Sequence, residues 1–315
     1  MISGLLGTTP VAVPPHVFAM DGARLCYAAF ERNNGDSHLR EYRCLDLPPE
    51  TFLPGPLGGT LQESSGLRRA LDQLLTEVGG GIAEGSLVVP DSWARISFVE
   101  TAELPRSAKA RDELLRWKLR RTVPYRVEDL RIRHLEVPAL TGQEEPRRVL
   151  LVFLLDALFR QIEEVFAAAG VLLGSVSNET LSLLEAVDGA IANLDLAGVV
   201  HRTTEGYSLV FTRHGAPVIY RHKTIPDRGS EERLGVQIER DLRLTRKYLQ
   251  DHVEGVVLRR VLLAAPEAST AVWSRWLEDV FEVPVTPVDR GWTSVGDVAP
   301  MEKVAPMVGA ACRSR

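Results

Sequence analysis

The chain has 315 residues, of which 45% are hydrophobic and 25% charged, and its formal net charge is −5 at pH 7. This composition is typical of a globular protein with a sizeable core and excludes global disorder. A net negative charge argues against sequence-independent nucleic-acid binding, which needs a broad basic surface. The N-terminus lacks a basic region before its apolar residues, and no apolar run approaches the ~18 residues of a membrane span. We therefore expect a cytoplasmic protein.

The first half of the chain predicts alternating strand pairs and helices. Residues 16–47 predict two strands joined by the turn Asn33-Asn34-Gly35-Asp36. A Pro- and Gly-rich connection follows, and residues 66–81 then predict a helix with leucines at three- and four-residue spacing. The next predicted elements are two short strands in 86–104, a helix over 107–121, a pair of strands in 130–140 and 147–156, a helix over 156–169, and a strand and helix within 171–194.

The second half repeats this order. Residues 197–225 predict a β-meander, and Ser230 is a candidate N-cap for a helix that ends near His252. The remaining predicted elements are a strand in 259–266, a helix over 269–281, a strand in 283–288 and a helix of small residues within 305–315. Two halves that each open with antiparallel strands predict a duplicated α/β architecture.

The chemistry-bearing residues show no enzyme motif. Cys26, Cys44 and Cys312 are widely spaced and lack a C-x-x-C pattern, so we interpret them as reduced thiols. Cys26 and Cys44 could face each other on neighbouring strands, although two buried small side chains are the favoured reading. The seven histidines lack metal-ligand spacing, which predicts no metal site. No G-x-S-x-G motif or P-loop is present either.

The predicted helix over 107–121 is strongly basic. Leu115 and Leu119 form a narrow apolar stripe, and Trp117 lies elsewhere on the circumference. Arginine and tryptophan are enriched at interface hot spots, which favours a surface for a protein partner. A solvated structural helix and a contact with anionic lipid or nucleic acid remain alternatives. The basic residues are Arg106, Lys109, Arg111, Arg116, Lys118, Arg120 and Arg121.

Four stretches resemble, in order, the PilM family of actin-like cytoplasmic proteins of type IV pilus assembly, and more distantly the cytoplasmic part of the GspL proteins of type II secretion. The most specific stretch is "LVVPDSWARISFVETAELPRSAKARDELLRWKLRRTVPYRVEDL", and the others are "RRVLLVFLLDALFRQIEEVFAAAGVLLGSVSNETLSLLEAV", "LVFTRHGAPVIYR" and "APMVGAACR". The residues of the first stretch that carry the resemblance are Pro105, Glu113, Trp117, Pro124, Tyr125, Glu128 and Asp129.

The resemblance implies an α/β, actin-like (ribonuclease H-like) fold with two lobes about a cleft. The first lobe would span 11–194 and carry a small inserted subdomain at about 87–150. The second lobe would span 195–315, with the C-terminal helix returning to the first.

The nucleotide pocket that such a fold implies departs from the family pattern at three places. Asp21 and Gly22 are retained, but Arg24 and Leu25 replace the polar turn that should follow. In the second hairpin the aspartate and glycine positions fall on His201 and Thr203, and the adenosine turn falls on Ala265-Pro266. A neutral histidine cannot replace a carboxylate that anchors Mg²⁺, and proline lacks a backbone donor. We therefore predict no cofactor, with ATP and Mg²⁺ disfavoured, and read Asp21 as a turn residue.

The resemblance implies a non-catalytic scaffold, peripheral to the inner membrane, that binds the cytoplasmic N-terminal peptide of a PilN-like membrane protein. The candidate binding residues are Arg116, Trp117, Arg120, Arg121 and Tyr125. Contact with a cytoplasmic motor ATPase, homo-oligomerisation and the choice between pilus and secretion system stay open. The rival hypotheses are an actin-like ATPase or sugar kinase that uses Asp21, and a binder of nucleic acid or anionic membrane through the basic helix.

Overall fold

A computed structural model describes residues 15–21, 23–33, 36–140, 146–225, 231–253, 255–288 and 299–312. Gly22, the predicted turn at Asn34-Gly35 and the candidate cap Ser230 lie outside these residues. No helix in the described ranges is long and apolar enough to cross a membrane.

The described strands are β1 (His16–Met20), β2 (Arg24–Asn33), β3 (Asp36–Asp46), β4 (Phe52–Leu53), β5 (Thr60–Leu61), β6 (Glu84–Val89), β7 (Arg95–Thr101), β8 (Leu130–Val137), β9 (Arg147–Leu155), β10 (Leu172–Asn178), β11 (Leu196–Arg202), β12 (Gly206–Arg213), β13 (Ala216–Thr224), β14 (Leu258–Ala264) and β15 (Val285–Pro287). The α-helices are α1 (Ser64–Glu77), α2 (Ala108–Arg120), α3 (Asp156–Ala168), α4 (Glu179–Ala186), α5 (Asp188–Ile191), α6 (Glu231–His252), α7 (Glu267–Phe281) and α8 (Met301–Cys312).

Two five-stranded sheets share one topology. The first has the order β10-β6-β1-β2-β3 and the second β13-β12-β11-β14-β15. In each, three antiparallel strands open the unit, and two later strands add in parallel on the other side of its first strand. Helices follow the parallel strands, as βαβ connections require. The duplicated, two-lobed α/β architecture expected from the sequence is confirmed.

A third sheet lies between β6 and α3 in the chain. It has the order β7-β9-β8, and its core includes Leu115 and Leu119 of α2, which confirms the apolar stripe. Leu87–Val89, by contrast, pair with β10 in the first five-stranded sheet, so the separate three-stranded unit begins after Val89.

Two arginines link this unit to the two lobes. On one side the guanidinium of Arg131 in β8 binds Asp156 and Glu163 of α3. On the other, Arg148 of β9 stacks on Phe98 and donates a hydrogen bond to the carbonyl of Val218 in β13. The three-stranded unit therefore contacts both halves of the molecule.

Helix α8 packs against α4 and against the first sheet. Gly309 makes this close approach possible, because a Cβ at this position would lie 1.6 Å from the carbonyl oxygen of Ser182 in α4. Residues Met301–Ala311 are all buried, including Glu302 and Lys303. The C-terminal helix thus brings two ionisable residues into the interior.

The interpretation of Cys26 and Cys44 as reduced thiols is wrong for this structure. The two residues are direct partners in the β2–β3 register, with their Cα atoms 4.0 Å apart, and they form a disulfide. Antiparallel pairing across a hairpin places the two side chains on the same face of the sheet, which the residue spacing alone could not establish. Cys312 is a free thiol that contacts the hydroxyl of Ser37.

Candidate functional site

Asp21 lies at the end of β1, where the two lobes face each other. Its Oδ1 accepts hydrogen bonds from the backbone N–H groups of Ala23 at 3.1 Å and Arg24 at 2.9 Å, which closes a tight turn into β2. Its Oδ2 contacts the ammonium group of Lys303 at 3.2 Å and the guanidinium of Arg24 at 3.4 Å. Asp21 therefore shapes the turn and binds a cation from α8.

Lys303 is the central charge of the cleft. Its side chain is 7% exposed, and its Nζ lies 3.2 Å from Asp21 and 3.3 Å from Oε1 of Glu179, the first residue of α4. Burial by itself would lower the pKa of Lys303, but the charges of Glu179 and Asp21 raise it well above its usual range. Burial likewise acts to raise the pKa of Asp21, and the charges of Lys303 and Arg24 bring it below its usual range.

His201 of β11 approaches the same carboxylate from the second lobe. The residue is 1% exposed, and its Nε2 lies 2.8 Å from the carbonyl oxygen of Glu302. Because a carbonyl only accepts, Nε2 must carry the proton and donate. The other ring nitrogen, Nδ1, lies 3.9 Å from Oε2 of Glu179, which is beyond hydrogen-bonding distance.

Asp91 joins the start of the inserted unit to both lobes. It accepts hydrogen bonds from the backbone N–H of Thr180 at 3.2 Å, from the hydroxyl of Thr180, and from the hydroxyl of Ser208 at 2.6 Å. Ser208 also lies 3.0 Å from Nδ1 of His222, whose pKa is lowered by burial. These contacts connect α4 in the first lobe with the β12–β13 hairpin in the second.

Glu205, in the turn between β11 and β12, completes the cluster. The hydroxyl of Ser92 donates to its Oε2 at 3.3 Å. Burial raises the pKa of Glu205 to about 7, helped by the negative charges of Asp21 and Glu179. The cavity bordered by this cluster is small, about 10 Å³.

Among the described residues, one set of side chains in the cleft has the spacing to hold a metal ion. The ligand atoms of Asp91, Glu179 and His201 all lie within 4.8 Å of one another, and all three residues are buried. The sequence pattern placed His201 at the position of a family aspartate, but it did not predict that His201 meets Asp91 and Glu179. The three residues come from segments far apart in the chain, so no spacing rule reveals them.

The predicted partner-binding residues lie away from the cleft, on and after α2. Arg116 points back into its own unit: it pairs with Asp112 at 2.7 Å and donates to the carbonyls of Val127 and Leu130. Tyr125 packs against the same small core.

The other three predicted residues are more exposed. Arg120 pairs with Glu128 on the surface. Trp117 is 52% exposed, and the cationic groups of Lys118 and Arg121 lie 5.6 and 5.7 Å from its ring centroid. Trp117 and Arg121 are thus the two residues of the predicted set that point outward without an ion-pair partner among the described contacts.

No protein-family model matches the chain, and no curated protein sequence matches it. The fold is shared with a Bacteroides thetaiotaomicron protein described as having an "actin-like ATPase fold and unknown function", at a TM-score of 0.51 and 9% identity over 87% of this chain and 91% of that chain.

A chain of the structure described as "PilM-PilN type IV pilus biogenesis complex" is more similar. The TM-score is 0.76 at 14% identity, and the match covers 96% of this chain and 98% of that chain. The cytoplasmic domain of EpsL from the type II secretion system of Vibrio cholerae matches at 10% identity over 94% of this chain and 93% of that chain, with a TM-score of 0.49 that carries no inference. The chain therefore has an actin-like α/β fold, and the resemblance to the PilM family is confirmed at the level of the fold.

Proposed function

We propose that this chain is a PilM-like, non-catalytic scaffold of a type IV pilus or type II secretion-like assembly, located at the cytoplasmic face of the inner membrane through protein partners. The observation that carries the proposal is the match over nearly the whole length of both chains to a chain of a PilM-PilN complex. A match of this extent includes the inserted three-stranded unit as well as both lobes.

The cleft supports a role without ATP turnover. The backbone N–H groups of Ala23 and Arg24, which would have to face a phosphate, donate instead to Asp21. Lys303 takes the place beside Asp21 and Glu179 where a hydrated Mg²⁺ would have to bind. The cavity of about 10 Å³ is also far smaller than the ~300–1,000 Å³ of typical ligand pockets.

The adenosine side of the cleft supports the same proposal. Pro266 has no N–H to donate, and its carbonyl accepts from the hydroxyls of Ser269 and Thr270 in the first turn of α7. Retention of Asp21 in a two-lobed cleft favours the rival function, an actin-like ATP-binding protein or ATPase. That rival requires Lys303 to leave the space between two buried carboxylates.

The proposed partner is the N-terminal cytoplasmic peptide of a PilN-like membrane protein. We place part of its binding surface on the outward face of α2, where Trp117 offers an exposed aromatic anchor and Arg121 a cation beside its ring. Arg116 and Tyr125 would support this face from within, since their contacts fix α2 on its own unit, and Arg120 would support it from the surface through its pair with Glu128.

A pull-down with the tagged peptide tests the partner and its site. We expect the peptide to retain the wild-type chain, and Trp117→Ala with Arg121→Glu to weaken binding at least tenfold, as loss of an anchor and a charge contact implies. Arg69→Glu, on the exposed face of α1, is the matched control and should bind normally. If the double variant is retained as well as the Arg69→Glu control, the proposed site is refuted. If the wild-type chain is not retained, the proposed partner is refuted.

A further inference from the structure

We propose that the cleft binds one divalent transition-metal ion, without nucleotide, between Asp91, Glu179 and His201. The three residues are buried, and their ligand atoms lie within 4.8 Å of one another. One imidazole and two carboxylates are a donor set suited to Zn²⁺ or Mn²⁺. The site thus differs in chemistry from the hydrated Mg²⁺ of a nucleotide complex.

The hydrogen bonds around His201 leave a ligand nitrogen available. Its Nε2 donates to the carbonyl of Glu302 at 2.8 Å, so Nδ1 is the ring nitrogen through which His201 would bind a metal ion. Donation of the second ring N–H to a backbone carbonyl is the arrangement that orients metal-binding histidines. Nδ1 faces Oε2 of Glu179 at 3.9 Å, which is too far for a hydrogen bond. A cation between the two atoms would satisfy both.

The carboxylates also keep oxygen lone pairs free. Glu179 binds Lys303 through Oε1, which leaves Oε2 for the metal. The hydrogen bonds that Asp91 accepts come from neutral groups of Thr180 and Ser208, so none of these bonds brings a positive charge to it. A buried carboxylate is stabilised by a nearby cation, and a divalent ion would serve both residues.

A second observation concerns a histidine that lines the same cavity. Ser208 has one hydroxyl proton and donates it to Asp91, so it must accept from Nδ1–H of His222. Nε2 of His222 is then an acceptor, and it is buried without a hydrogen-bond partner. His222 lines the same cavity as Asp91, Glu179 and His201. A metal-bound water in that cavity is a donor that could satisfy this nitrogen.

The ion would bridge the two lobes. Asp91 follows β6 and Glu179 opens α4, both in the first lobe, whereas His201 belongs to β11 of the second. Metal binding should therefore fix the lobes relative to each other and raise the thermal stability of the whole chain.

The test uses tag-free, full-length protein that has been stripped with chelator and then titrated with ZnCl₂, MnCl₂ or MgCl₂ alone by calorimetry and thermal melting. We expect one equivalent of Zn²⁺ or Mn²⁺, binding at least tenfold tighter than Mg²⁺, and a melting temperature raised by about 5 °C at a hundredfold excess over Kd. His201→Gln should weaken binding at least tenfold, while His214→Gln, a surface histidine of the second lobe, should leave it unchanged.

The variants also separate loss of the site from loss of folding. If His201→Gln melts below the stripped wild type in chelator, Asp91→Asn replaces it as the ligand variant, because the amide keeps the shape and one acceptor oxygen. The proposal is overturned if the wild type shows no saturable one-equivalent binding. It is equally overturned if a folded ligand variant binds Zn²⁺ as tightly as the wild type.

Discussion

Replacement of Lys303 by methionine is the most informative perturbation of the cleft. The ammonium lies between Asp21 and Glu179, and all three side chains are more than nine-tenths buried. Removal of one partner from a buried ion pair typically costs about 3–5 kcal/mol, because the remaining charge stays desolvated. Here two carboxylates lose the same cation. We therefore expect Lys303→Met to lower the free energy of unfolding by about 3–5 kcal/mol at pH 7.

The pH dependence distinguishes lost ion pairing from lost packing. The pKa of Lys303 is raised, so its contribution is complete below its ordinary value of 10.5 and is lost only at higher pH. The pKa of Asp21 is lowered, so its contribution is complete above its ordinary value of 3.8 and is lost as the pH falls below it. Between those limits the wild type keeps both contributions. In Lys303→Met the two carboxylates can relieve their repulsion by protonation, so the deficit should shrink at pH 5.

Urea unfolding at pH 5 and pH 7, followed by tryptophan fluorescence in the presence of chelator, measures this deficit. Lys247→Met, on the exposed surface of α6, is the matched control and should be near neutral. The double variant Lys303→Met with Glu179→Gln should recover part of the loss, because it removes one of the unpaired charges. A loss below about 1 kcal/mol at pH 7, or an equal loss at both pH values, would refute the reasoning.

Three further predictions concern packing, the inserted unit and the acidic turn. Gly309→Ala should lower the melting temperature, because its Cβ would meet the carbonyl of Ser182 and force α8 away from α4 at a cost of ~1–3 kcal/mol. The control Gly189→Ala places its Cβ where nothing lies within 4 Å, so it should leave the melting temperature unchanged. Equal melting temperatures of the two variants would contradict this prediction. Arg131→Met removes hydrogen bonds to Asp156 at 2.9 Å and to Glu163 at 2.6 and 3.0 Å, so amide exchange in β8 should accelerate, and unchanged protection would count against the contact as a link. Because burial raises the pKa of Glu205 from 4.5 to about 7, the wild type should lose stability as the pH rises through this window. In chelator, the free energy of unfolding of Glu205→Gln should rise by ~2–3 kcal/mol relative to that of the wild type between pH 4.5 and 8. A difference that does not change with pH would contradict the assignment.

Local pattern predicted the duplication and most of the elements. The prediction of two strands in residues 16–47 is wrong: they form three, because the turn closed by Asp21 separates β1 from β2. The leucine spacing after residue 66 gave α1, and the two runs of antiparallel strands gave the opening of each lobe. The two strands predicted in 86–104 exist as β6 and β7, but they belong to different sheets. Sheet membership depends on long-range pairing, which neighbouring residues do not encode.

The cleft could not be assembled from spacing because its residues meet only in the folded chain. Lys303 and Asp21 are brought together by α8, and the one sequence signal is the presence of two adjacent charged residues, Glu302 and Lys303, at the start of an otherwise apolar helix. The disulfide between Cys26 and Cys44 depends on the β2–β3 register in the same way. On α2 the pattern predicted the buried stripe, whereas the inward role of Arg116 depends on carbonyls of a later turn.

Titration calorimetry with the N-terminal cytoplasmic peptide of the PilN-like protein from the same genome, with and without Mg-ATP, tests the central claim most directly. A scaffold whose cleft is filled by Lys303 should bind the peptide with the same affinity in both conditions, and Mg-ATP alone should give no heat of binding. Peptide binding that requires Mg-ATP, or saturable binding of Mg-ATP by itself, would contradict the account.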